Sequence, residues 1–265
     1  MGAELAYVLE HAGEFDRLER QSALPSYDYL VELQGLDVED GAHILDAGCG
    51  SGVVSRYLAN TFPNAEVTAC DMTASLLHEA RQQAHGIGNL RFFEQNLKSL
   101  SFDDASFDLI VCRFVLHHQS AEGRELILSE LVRVLKPGGR IIVIDIDGVV
   151  LNLYPQTAKV SEGLSKIAAA QEIDLFAGRK IPHLFFKAGL TSISWKVQTV
   201  DFQGETKQSE LQIMRERFTN AAEFLQRVIG DAEALDAFKK EYLECLERDD
   251  SVGFFNKFIV SAVKV

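Results

Sequence analysis

Between residues 43 and 147, short apolar runs alternate with stretches in which apolar side chains recur every three or four positions. The runs predict strands at 43–49, 66–71, 90–95, 108–114 and 140–147. The intervening stretches predict helices near 51–61, 73–85 and 121–135, the second with Thr73 as its N-cap. Strands and helices alternating over short connections imply a parallel sheet with right-handed crossovers. Beyond 147 the regularity breaks. Residues 149–174 have weak strand character, 176–188 read as a helix closed by Gly189, and 193–200 read as a strand. Leu211, Met214, Phe218, Ala221, Leu225 and Val228 mark a long helical stretch, and Leu235, Phe238, Tyr242 and Leu246 a second. Residues 254–263 close the chain as a β run, and 3–34 form an N-terminal helical arm. The expected organisation is one domain, 1–265. An arm (1–40) precedes a core (41–148), helical lid insertions occupy 149–176 and 204–250, and 177–203 with 251–265 complete the sheet.

The stretch HILDAGCGSG, residues 43–52, begins as a buried strand and cannot end as one. Gly48, Gly50 and Gly52 permit backbone angles that a Cβ forbids and let another molecule approach the main chain. Ligands of parallel sheets sit beyond the carboxyl ends of the strands. The glycine turn is at such an end, so it marks a binding site.

Composition narrows the ligand. With 265 residues, 47% of them hydrophobic, the chain can bury a large core without a second domain. A formal charge of −13 argues against sequence-independent nucleic-acid binding, which needs clustered Lys and Arg. There is no charged-then-apolar leader and no apolar run near the roughly 20 residues of a membrane span. A soluble, cytoplasmic protein with neither nucleic-acid nor membrane partner is therefore expected. Cys49, Cys70, Cys112 and Cys245 form no CxxC pair and have no His at ligand spacing. They read as small buried hydrophobes, with no disulfide framework and no metal site.

Asp46-Ala-Gly48-Cys-Gly50-Ser-Gly52 resembles the D/E-x-G-x-G-x-G loop of class I S-adenosylmethionine-dependent methyltransferases. The segments SFDDASFDLIVCRFVLHH and LVRVLKPGGRIIVID resemble that family's fourth strand and the helix, turn and strand that follow it. The resemblance covers about residues 40–200 and the last ten. It implies a Rossmann-like α/β fold: a doubly wound seven-stranded sheet, mostly parallel, with a C-terminal antiparallel β-hairpin strand and helical insertions. It also implies S-adenosylmethionine as cofactor, with Asp71 accepting the two ribose hydroxyls as charge-assisted bonds. Asp46 would order the turn and reach the ammonium end, while Gly48, Cys49, Gly50 and Gly52 cradle the cofactor. The helix after the turn would set its positive dipole near the cofactor's carboxylate. Met72 would flank the adenine, with core filler as its alternative. Asn96, followed by Leu97, stands where many members carry an acid, so recognition of the adenine amino group would be weaker. Arg17 and Gln21, one helical turn apart, match an arm pair that faces the cofactor, a solvated face being the alternative. Arg113 would touch cofactor or substrate, or else belong to an ion pair. A dinucleotide fold would need a third glycine at position 53, where the chain has Val53.

Methyl transfer needs a nucleophile held in line, and a general base only where the acceptor is a hydroxyl or an acidic carbon. His117 and His118, after the fourth strand, are the nearest candidate catalytic bases; a capping role is their alternative. The fourth strand lacks both the Asn-Pro-Pro-aromatic motif of base-amino methyltransferases and a metal-binding Asp. Leu153, Tyr154, Phe176, Phe218 and Phe224 suit a hydrophobic acceptor, or ordinary core. The expected function is methylation of a small apolar or aromatic metabolite. The alternatives are a non-catalytic S-adenosylmethionine-binding protein acting through a partner, or a protein side-chain methyltransferase. Neither the methylated atom nor the oligomeric state is legible in the residues.

Overall fold

A computed structural model describes residues 13–170 and 173–265, so the first part of the expected arm lies outside the described residues. The strands are β1 His43–Ala47, β2 Glu66–Asp71, β3 Leu90–Glu94, β4 Phe107–Arg113, β5 Leu135–Tyr154, β6 Thr191–Asp201 and β7 Val252–Val263. They form one sheet in the order β3-β2-β1-β4-β5-β7-β6. The first five pair parallel, whereas β7 runs antiparallel to both β5 and β6. The alternation predicts the parallel part of this sheet, and the antiparallel C-terminal strand is the one that the resemblance implies. Ile44, Leu45 and Ala47 of β1 are fully buried, as a parallel strand covered on both faces requires. Strand order reverses between β1 and β4, which opens a crevice beyond their carboxyl ends.

The helices are α1 Glu14–Ser22 and α2 Tyr29–Glu32 in the arm, joined through a 3-10 turn, Pro25–Tyr27, and the crossovers α3 Val53–Thr61, α4 Ala74–Gln83 and α5 Ala121–Val134. They are followed by α6 Ala158–Ala169, α7 Ile181–Lys187, α8 Gly204–Asn220, α9 Ala222–Ile229 and α10 Ala232–Glu247. Ser120 caps α5 by accepting the Gly123 N–H at 3.1 Å. Thr73 occupies the N-cap position of α4, but its side chain makes no capping bond. Its N–H donates instead to Asp71 Oδ1 at 3.0 Å.

The largest departure from expectation is β5. The predicted strand ends at 147 with helical insertion beyond, yet β5 continues to Tyr154. Its last residues, Asn152, Leu153 and Tyr154, pair with Phe254, Gly253 and Val252. The apolar run from Val149 to Tyr154 finds a strand partner in the start of β7, so the helical insertion begins only at α6. Pairing shifts between Asp147, opposite Asn256, and Asn152, opposite Phe254. Residues 148–151 therefore bulge from the ladder, with Gly148 at φ 79° and Val150 at φ 63°. The predicted 176–188 helix starts later too, as α7 after a 3-10 turn.

The insertion helices α6, α8, α9 and α10 share a core with this upper half of β5 and with β7. At its centre Phe218 meets Phe238 and Tyr242 edge-on, with ring centres 5.9 and 5.2 Å apart. All four cysteines are free, and Cys70, Cys112 and Cys245 are buried. Burial pushes the Cys70 thiol up to about 12 and those of Cys49 and Cys112 well above their usual value, which keeps them protonated. Among the described residues no helix is long and apolar enough to cross a membrane.

Candidate active site

A cavity of about 300 Å³ lies in the crevice, walled by the carboxyl ends of β1 to β5, by α1, and by α8 and α9. Its floor is the glycine turn, which is braced by β2. Gly48 and Cys49 N–H both donate to the Cys70 carbonyl, at 2.8 and 2.9 Å. Gly50 N–H donates to Asp71 Oδ2 at 2.9 Å. Turn and acid are thus one unit, and each Asp71 oxygen has accepted only one of these backbone bonds.

The three glycines are glycines for different reasons. All have positive φ, 77°, 53° and 75° in chain order. A Cβ on Gly48 would lie 2.4 Å from Val115 Cγ2, and one on Gly52 would lie 2.9 Å from the Phe92 ring. Close packing inside the protein thus demands those two. A Cβ on Gly50 would meet only the flexible end of Leu18, at 3.2 Å. Gly48 and Gly50 line the cavity, whereas Gly52, expected among the cradling residues, sits behind the turn.

Asp46 is buried at the end of β1 and accepts the Ser55 hydroxyl at 2.5 Å. Burial raises its pKa to about 6, against the opposing pull of the Ser55 bond and the Arg113 charge. Cys49, Met72, Asn96 and Leu97 lie on the same wall. Met72 is 55% exposed and therefore not core filler. Asn96 Oδ1 accepts the Lys98 N–H at 2.9 Å, so this oxygen already holds its own loop. From the arm, Arg17 and Gln21 reach the cavity together, with Arg17 Nη1 donating to Gln21 Oε1 at 2.7 Å. Arg17 Nε also donates to Glu14 at 2.7 Å.

Arg113 borders the cavity, but its polar contacts bind the arm to the sheet. Nε donates to Glu32 Oε2 at 2.5 Å and Nη2 to the Tyr27 carbonyl at 2.7 Å. Glu32 also receives Lys257 Nζ at 2.6 Å, and both partners of that pair are fully buried. The ion-pair alternative for Arg113 is the geometry observed.

His117 and His118 form a 3-10 turn with Leu116 after β4, and both line the cavity. Asp145, fully buried in β5, stands behind them. Its Oδ1 is 2.7 Å from His117 Nδ1, and its Oδ2 accepts the His117 backbone N–H at 3.1 Å. The His118 ring lies 3.8 Å from that of His117. Burial, reinforced by His117 and Arg17, holds the His118 pKa well below its ordinary value. His118 is therefore a neutral imidazole at pH 7.

Beyond the histidines the wall turns apolar, with Val149, Val150, Ile173, Phe218 and Phe224. Leu153 is in the insertion core, Tyr154 is 73% exposed, and Phe176 stacks on Arg179 at 4.7 Å, so these three candidates lie off the wall. Phe114 and Val150, non-glycine residues at φ 58° and 63°, both line the cavity. Such strain, about 1–3 kcal/mol each, concentrates at functional sites. A cation also lines this cavity. Arg217 of α8 donates from Nη2 to the Tyr27 hydroxyl at 2.6 Å. Among the described residues no group of three potential ligands could hold a metal ion.

Residues 44–139 match the family model described as methyltransferase domain. A ubiquinone/menaquinone biosynthesis C-methyltransferase, UbiE, of Hahella chejuensis is 35% identical over 112 residues, which is 41% of this chain and 44% of that protein. The chain thus matches less than half the length of that relative. Among solved structures, the phosphoethanolamine N-methyltransferase 2 of Haemonchus contortus, bound to phosphomonomethylethanolamine and S-adenosylhomocysteine, superposes with a TM-score of 0.62. The identity is 18%, over 100% of this chain and 61% of that one. The YcgJ protein of Bacillus subtilis gives 0.59 at 19% identity, over 96% and 99% of the two chains. At such identities these two structures speak for the fold alone. The matched segment, which holds the glycine turn and runs from β1 to the start of β5, is similar to methyltransferase domains, and the sheet shares the fold of the two superposed structures.

Proposed function

We propose that the chain transfers a methyl group from S-adenosylmethionine to a small acceptor with an apolar or aromatic body. One observation carries this reading: a single cavity wall runs from the Asp71-braced glycine turn, past two histidines, into an apolar pocket. The residues fit the cofactor. Gly50 leaves main chain open to a ligand, Asp71 keeps acceptor capacity for hydroxyls, Met72 and Leu97 offer apolar surface to a flat ring, and buried Asp46 suits an ammonium. Arg17 and Gln21 line the cavity from the arm. The cofactor supplies an electrophilic methyl on a sulfonium. The chain's part is to orient the acceptor, exclude water and, for an acidic acceptor, receive its proton. His118, neutral at pH 7, is the candidate base, and the Asp145 carboxylate lies against the His117 ring beside it. The C-methyltransferase named among the relatives supports a small-molecule acceptor. Free thiols suit a reducing, cytoplasmic location. Calorimetric titration with S-adenosylhomocysteine, followed by a metabolite screen with methyl-labelled cofactor, tests the reading. Binding of NAD in place of S-adenosylhomocysteine would overturn it.

The Asp46 carboxyl makes cofactor binding depend on pH. Its folded pKa of about 6 exceeds the unfolded value of 3.8, so the folded chain holds an extra proton between these limits. This favours folding at acid pH and fades as pH rises through 6. An ammonium docked beside Asp46 lowers that pKa, so binding below pH 6 releases a proton. Affinity for S-adenosylhomocysteine should therefore rise from pH 5 to 6, by up to about tenfold, and then level. In Asp46→Asn the slope should vanish; a slope that survives there assigns the proton elsewhere.

The insertion wall should act on the acceptor rather than on the cofactor. Phe218→Ala and Phe224→Ala each remove a buried ring, a change of about 3–5 kcal/mol in a packed core. Once the acceptor is known, its KM should rise at least tenfold while S-adenosylhomocysteine affinity stays within twofold. Equal losses in both would place these rings in general support of the fold.

A further inference from the structure

The largely apolar acceptor end of the cavity is bordered by Arg217 and Tyr27. Arg217 Nη2 donates to Tyr27 Oη, and the guanidinium lies 5.8 Å from the Tyr27 ring. Arg217 Nη1 is buried and has no hydrogen-bond acceptor. A guanidinium carries five N–H donors in a fixed fork, and none can be lost by deprotonation. No carboxylate pairs with Arg217 within ion-pair distance among the described residues. Glu210, the acid of this corner, directs Oε2 to Tyr27 Oη at 3.5 Å. Three other cations near the site have a carboxylate partner: Arg17 is paired with Glu14, and both Arg113 and Lys257 with Glu32.

Resting on the methyl-transfer reading above, we infer that the acceptor carries a carboxylate on its apolar body and that Arg217 binds it. Glu210 balances part of the Arg217 charge across the Tyr27 hydroxyl, but the Nη1 side of the fork stays open, and an apolar pocket that keeps such a donor discriminates by charge. A carboxylate completes the open fork, an alcohol offers a weaker acceptor, and an amine meets like charge. A dianion is disfavoured by Glu210 beside Tyr27. The apolar body rests on Val149, Val150, Phe218 and Phe224. Arg217 projects from α8, so the insertion supplies the polar contact that selects the acceptor as well as apolar surface.

Three probes with one apolar body separate the possibilities: 4-phenylbutyrate, 4-phenylbutanol and 4-phenylbutylamine. Each is titrated by calorimetry into the full chain, with and without saturating S-adenosylhomocysteine. The carboxylate should bind at least tenfold tighter than the alcohol, with the amine weakest. Arg217→Leu should erase that order while S-adenosylhomocysteine affinity, which reports an intact fold, stays within twofold. Arg217→Lys should retain part of the preference. Equal binding of all three probes, binding of none, or an acid preference surviving in Arg217→Leu overturns the inference. A chain that fails to take S-adenosylhomocysteine but still prefers the acid through Arg217 overturns the methyl-transfer reading and leaves the anion site standing.

Discussion

Replacing Asp71 by Ala should weaken S-adenosylhomocysteine binding by about 1.5–3 kcal/mol, the range for hydrogen bonds to a charged group, or roughly 10- to 150-fold. The loss has two sources. The carboxylate is the proposed partner of the ribose hydroxyls, and it also accepts the N–H groups of Gly50 and Thr73. Truncation removes the ligand contact and loosens the turn beneath it. Asp71→Asn retains an amide oxygen for one backbone N–H and should lose less. Calorimetry measures the affinities, and thermal melting checks the fold. An Asp71→Ala chain that binds as tightly as wild type sinks the assignment.

A larger effect on stability is expected at Gly48. Alanine there takes a left-handed backbone at about 1–2 kcal/mol and drives its Cβ to 2.4 Å from Val115 Cγ2. Overpacking of that kind costs about a further 1–3 kcal/mol. The sum, roughly 2–5 kcal/mol, is a large part of the usual 5–15 kcal/mol of a folded chain. Gly50→Ala carries the same conformational cost but meets only the movable end of Leu18. It should remain largely folded while losing cofactor affinity. Urea denaturation of the two variants separates these roles, because the midpoint should fall much further for Gly48→Ala. Equal midpoints would mean that Val115 yields without cost.

The glycine turn, the strand alternation and the acid that ends β2 were legible because each is local: a few neighbouring residues carry the whole signal. What escaped was decided across long separations. Lys257 is in phase with the inward residues Phe255 and Ile259 of β7, so alternation already put an ammonium in the core. Its partner, Glu32, is 225 residues away, beyond any local pattern. Asp145 likewise stands out as an acid in the apolar run IIVIDID, yet only the fold brings His117 to it. The true length of β5 was hidden for another reason. Pro137, Gly138 and Gly139 look like a stop, and the chain after Asp147 looks like the start of an insertion. Bulging at both places lets the strand absorb these irregularities, at the first of which Gly138 has φ 79°. Arg113 shows the converse. Its position at the end of β4 was plain, but whether it faced ligand or carboxylate depended on where the arm lay.

The arm is a shared wall, and this has an energetic consequence. Tyr27 accepts Arg113 of β4 through its carbonyl and Arg217 of α8 through its hydroxyl, and Arg17 and Gln21 of α1 line the same cavity. One segment therefore meets the sheet, the insertion and the cavity. If either ligand favours the docked arm, it lowers the cost of docking for the second, and linkage makes the help mutual and equal. Cofactor and acceptor should bind with positive cooperativity, and removing the Tyr27 hydroxyl should bring their coupling toward zero.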